Sequence, residues 1–215
     1  MSHPLHSDME SFSTSARSYL ARARARLSEQ TPEALIYAAL ELRCGVEARL
    51  REYLEPHDHV PAGRRADWRI GNLHRTTGET FKLGDQVARL RLSAPQKTSM
   101  YVELFYTPVS RRLRMLAEKL GAALHAPVTP RDAVDPFWST LRAEAEEGAA
   151  LLEEATTGTL LGPLLIDTAS GESLMPIEVL EDAEIVGPLL KNLRGTEMLI
   201  SVAYFPDLAS ARNAP

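Results

Sequence analysis

The chain has 215 residues, a net charge of −5, 44% hydrophobic and 25% charged residues, and one cysteine. That length supports a sizeable core, the composition excludes a disordered or fibrous chain, and the lone Cys44 excludes an intrachain disulfide or a cysteine-based metal cluster. The charge is uneven: residues 1–131 hold 20 Lys+Arg against 14 Asp+Glu, and residues 132–215 hold 4 against 15, a basic body followed by an acidic C-terminal part.

The first predicted helix covers 7–28, with Phe12, Ala16, Tyr19, Ala23 and Leu27 at helical spacing and Arg17, Arg22, Arg24 and Arg26 decorating it. The second, over 31–56, is the most strongly signalled element. Thr31 is placed to cap the first free amides, Pro32 sits where its missing N–H costs nothing, and Pro56 closes the run. Leu35, Ala39, Leu42, Val46, Leu50 and Tyr53 form one stripe, broadened by Ile36, Leu40 and Leu54. Arg43 and Glu47, four residues apart, fall in the broadened side as a candidate interface pair. The two helices should form an antiparallel hairpin.

Residues 57–63 read as a loop, and 64–76 as a shorter helix carrying Trp68, Ile70 and Leu73. The His57, Asp58, His59 cluster lacks further ligands at metal spacing and predicts no metal site. Alternation over 86–92 and 100–106 predicts a β-hairpin joined by a long polar loop. Thr107 and Pro108 repeat the cap-then-proline signal and open a helix with Val109, Leu113, Leu116, Leu120 and Leu124 on its apolar side. Its opposite face gathers Arg111, Arg114, Glu118, Gly121 and His125. Asp135 and Pro136 open a further helix to about 155, with its glutamates mostly outward. Strands are expected over 159–167, 173–181 and 197–205, with a short helix over 183–193 between the last two.

Together these elements predict an α+β, mainly α fold: a helical bundle over 1–156 with a β-hairpin insertion at 86–106, a small β appendage toward the C-terminus over 157–209, and a tail at 210–215. No apolar run approaches the ~20 residues of a membrane span, so a cytoplasmic chain with no membrane partner is expected. There is no phosphate-binding or dinucleotide loop, no HExxH and no nucleophile elbow, and neither a cofactor nor a metal is expected.

The paired long helices, with ALELRCGVEARL in one and LAEKLGAALH in the other, resemble the HEPN family over roughly 7–155. HEPN proteins are small helical bundles of bacterial conflict systems, many of them dimeric RNA-cleaving toxins. The resemblance implies an Arg followed after four to six residues by a His near a dimer cleft, the His acting as base and the Arg steadying phosphate charge. Arg51 with His57 and Arg69 with His74 have that spacing, which chance supplies at a similar rate; the helix ending in LGAALH has Lys119 six residues before His125.

A separate grouping places Arg114, Glu118 and His125 on one helix face as candidate catalytic residues, with Arg43 and Glu47 approaching from the long helix. The expected function is a non-enzymatic interaction or regulatory protein of a bacterial system, working as a homodimer or on a protein partner. The alternative is a HEPN-like, metal-independent endoribonuclease of a toxin–antitoxin or anti-phage system, with RNA as substrate.

Overall fold

The computed structural model describes residues 12–93, 101–126, 131–132, 134–165 and 199–214. Helix α1 (Ala16–Ser28) starts at Ser15, whose hydroxyl accepts from the Ser18 amide at 3.2 Å. The expected start at 7 lies outside the described residues, and 12–15 are not helical. Gln30 turns the chain with a φ of 56° into α2 (Pro32–Leu54). There Thr31 accepts from the Ala34 amide at 3.1 Å and Pro32 occupies the first turn, as the cap-then-proline signal requires. All six residues of its stripe, and Leu54, are buried, whereas Leu40 stays exposed at the edge of the arc.

The single helix expected over 64–76 is instead α3 (Ala62–Arg65) and α4 (Ile70–Phe81). Asp67 causes the break. One of its carboxylate oxygens accepts from the Arg69 amide and the other from the Asn72 side chain, both at 2.8 Å, so a local side-chain bond competes with the helix ladder. Ile70 and Leu73 face the core, but Trp68, left in the break, is 58% exposed.

Strands β1 (Val87–Ser93) and β2 (Tyr101–Tyr106) form the expected hairpin, in antiparallel register from Ala88 opposite Tyr106 to Ser93 opposite Tyr101. Strand β3 (Leu199–Phe205) pairs with the other side of β1, so the order is β2-β1-β3. The C-terminal strand and the hairpin are thus one sheet. Residues 159–165 form no strand and cross the sheet instead. The rest of that expected strand, the strand at 173–181 and the helix at 183–193 lie outside the described residues. One sheet face stacks Leu90, Leu92, Val102 and Leu104 beneath Leu160 and Leu164. On the other face Val87 meets Leu208 and Ala211 of α7 (Leu208–Asn213), and the buried Arg89 donates to the Ala211 and Ala214 carbonyls at 3.1 and 2.7 Å.

Helix α5 (Arg111–Ala123) is opened by Ser110, which accepts from the Leu113 amide at 3.2 Å, and not by Thr107. The Thr107 hydroxyl is already used: it donates to the Ala155 carbonyl at 2.9 Å and accepts from the Gly158 amide at 3.0 Å. Helix α6 (Pro136–Thr157) begins as expected, with Asp135 accepting from the Phe137 amide at 2.8 Å. At its other end, Arg49 donates to Ala155 at 3.0 Å, Arg17 to Thr156 at 2.8 Å, and the Tyr53 hydroxyl to both Ala155 and Thr107. Burial pushes the Tyr53 phenol up to about 12, which keeps it a donor.

Gly158 sits inside this knot. A Cβ there would stand 2.8 Å from the Phe105 carbonyl oxygen and 3.0 Å from the Thr107 amide nitrogen, and it would also meet the Thr107 hydroxyl. Two of those neighbours are backbone and have little room to yield. Gly158→Ala is therefore expected to cost about 2 kcal/mol or more in urea unfolding; a change below about 0.5 kcal/mol contradicts this packing.

Candidate functional site

Helix α5 carries the residues singled out for chemistry. Arg114 reaches both carboxylate oxygens of Glu118, one turn on, at 2.8 Å. Gly71 of α4 makes room for the carboxylate, since a Cβ there would lie 3.2 Å from Glu118 Oε1. One turn further along α4, the half-buried His74 shares these surroundings. Burial lowers its pKa and the Arg114 charge lowers it further; Asp85, a bond to the Val109 backbone and Glu118 act in the opposite direction.

His125 is elsewhere. It follows the last turn of α5 and lines a hollow of about 300 Å³ with Lys119, Arg131, Phe137 and Glu144, a set that includes neither Arg114 nor Glu118. Glu144 binds Lys119 at 2.9 Å, and Arg131 lies 3.7 Å over the Phe137 ring. The cation and carboxylate of the predicted grouping are thus together, and the imidazole beside them is that of His74.

Arg43 and Glu47 are partly buried and pair at 3.4 Å. Arg43 leans across α5 at Gly121, where a Cβ would be 3.1 Å from its Cδ and Nε atoms. Glu47 turns the other way, bonding Arg51 at 2.8 Å and lining a cleft of about 540 Å³ with Ser15, Tyr19, Cys44, Glu52 and Glu55. Burial, and then Glu47, raise the Cys44 thiol, so it is a poor nucleophile at neutral pH.

In the two Arg/His spacings the arginine and the histidine have different partners. Arg51 is held by Glu47 and by the Asp67 carbonyl at 3.2 Å, while His57 is fully buried behind Phe81 and His59 at ring distances of 5.1 and 5.4 Å. Neither His57 nitrogen has a hydrogen-bond partner among the described residues. Burial, with the His59 charge second, brings its pKa down to about 4. Arg69 lies 5.0 Å over Trp68, away from a core position. Among the described residues no three His, Cys, Asp or Glu side chains are grouped to hold a metal.

Chemically, the α4–α5 cluster has a neutral base in His74, but the Arg114 charge is paired with Glu118 through its Nη1 atom. A phosphate approaching Arg114 would meet the negative charge of that carboxylate. The sequence singled out His74 only by its spacing from Arg69; its place beside Arg114 and Glu118 went unrecognised because those neighbours come from α5, some 40 positions on.

The contact gives a direct readout. Arg114→Met is expected to raise the His74 pKa, and Glu118→Gln to lower it, in an NMR titration of the imidazole; no movement with either change contradicts the cluster. No protein-family model, no curated protein and no solved structure matches the chain.

Proposed function

We propose that this chain is a non-enzymatic interaction protein that acts by self-association through the outer edge of β3. The observation that carries the reading is the contrast between the two edges of the sheet. Beside β2, the Leu160 amide donates to the Phe105 carbonyl at 3.0 Å and Thr159 accepts from the Phe105 amide at 3.1 Å, so that edge is engaged. Among the described residues, nothing pairs with the outer edge of β3. Its sequence, LISVAYF, has no charge and no proline, the two devices that commonly protect such an edge. Leu199, Ile200 and Tyr204 are 54, 52 and 50% exposed.

An open strand recruits another strand through its backbone groups. An uncharged strand meets its own copy across a two-fold axis without like-charge repulsion, so a second copy of the chain is the fitting occupant.

A second reading, an RNA-directed nuclease of HEPN type, draws on one observation: Lys119, His125 and Arg131 line the same hollow. The Glu144 bond to Lys119 weighs against it, because the cation nearest the family's spacing is already neutralised.

Sedimentation velocity over a concentration series tests the first reading. A dimer is expected for the native chain and a monomer for Ile200→Lys, which places a charge on the strand; a native monomer throughout, or a variant that still dimerises, overturns it. RNA incubated with the chain at low salt is expected to remain intact, and cleavage that disappears in His125→Ala decides for the second reading.

A further inference from the structure

We propose that residues 158–165 form an acid-released strap over the apolar face of the sheet, with His57 as its catch. The strap leaves α6 at Gly158, is bonded to β2 at Thr159 and Leu160, and lays Leu160 and Leu164 over Leu90, Leu92, Val102 and Leu104. Further on, Gly162 closes over His57. A Cβ at 162 would stand 2.9 Å from His57 Nε2 and 3.1 Å from the Phe81 ring, so the strap backbone reaches the imidazole only because this residue is glycine.

His57 is 0% exposed. The groups facing it are the His59 ring from the α2–α3 loop, Phe81 from α4 and Gly162 from the strap. None of these is a carboxylate, and among the described residues His59 is the one titratable charge acting on it. Among the described residues an imidazolium formed in this place has neither a counter-ion nor a hydrogen-bond acceptor, so it must reach water. Phe81 belongs to a packed helix and joins the Tyr53–Tyr106 aromatic cluster, with ring distances of 6.4 and 5.4 Å. The strap is the layer that can lift, and lifting it uncovers the four apolar residues of the sheet. This device stands independently of association through β3.

The sign follows from linkage. The closed state holds the imidazole near 4, below its ordinary 6.5, so closure has full strength above pH 6.5 and weakens as pH falls toward 4. Between pH 7 and pH 5 the released state gains about 20-fold. The reporter is the Leu160 amide, followed by hydrogen exchange in the full chain and corrected for the intrinsic pH dependence. Its protection is expected to fall about 20-fold from pH 7 to pH 5, with less than a twofold fall in His57→Gln and unchanged protection in α2 and α5.

Gly162→Ala, which forces a methyl group onto the catch, is expected to give at pH 7 the low Leu160 protection of the native chain at pH 5. The proposal is overturned if native protection holds at pH 5, if His57→Gln loses as much, if α2 and α5 exchange in step with Leu160, or if Gly162→Ala leaves the amide protected at pH 7.

Discussion

The last carbonyls of α6 have no partners within their own helix, and its final turn carries no basic side chain. The chain meets this need from elsewhere, with Arg17 from α1, Arg49 and Tyr53 from α2, and Thr107 from the link between β2 and α5. Cations and hydroxyl donors at the negative end of a helix dipole are favourable, and hydrogen bonds from charged donors contribute about 1.5–3 kcal/mol each. Arg49 also lies 4.4 Å over the Tyr53 ring and bonds Glu52, which in turn accepts from the first amide of α1. One buried polar knot therefore ties the start of α1, the end of α2, the end of α6 and the exit of the sheet.

That knot decides what remains for function. It directs the chain after Gly158 across the sheet, which engages the β2 edge and covers one apolar face. The arginine-rich helices meanwhile spend their charge internally: Arg22 on Glu41, Arg24 on Glu153, Arg112 on Glu147 and Arg114 on Glu118. All four cations sit on the basic half of the sequence, yet α6 neutralises two of them, α2 one and its own helix the fourth. Among the described residues these pairings leave the sheet as the more distinctive surface.

Features set by neighbours in sequence were legible in it. The Thr31–Pro32 and Asp135–Pro136 starts, the apolar stripe of α2 and the alternation of the hairpin each depend on residues within one or two turns, and each has its expected form. Features set by distant contacts were not. Thr107–Pro108 has the same local signal as Thr31–Pro32, but Ala155 and Gly158 claim its hydroxyl, so the helix starts three residues later at Ser110. The hairpin pattern could not reveal that β3 would complete its sheet. Of the candidate site, the Arg114–Glu118 pair was readable from its spacing, and the leaning of Arg43 on α5 followed from two packed helices. The burial of His57 depends on Gly162, more than 100 residues away, and the approach of His74 to Arg114 depends on α4 packing against α5.

The knot is central because its members act on shared acceptors, and that sharing is measurable. A double-mutant cycle on Arg49→Met and Thr107→Val, which both remove a donor to the Ala155 carbonyl, reports it as a coupling energy in urea unfolding. A coupling of about 1 kcal/mol or more is expected, since the second loss falls on a carbonyl that the first has already weakened. Losses that add to within about 0.3 kcal/mol would mean that the two side chains stabilise the fold separately, and would contradict a single organising knot.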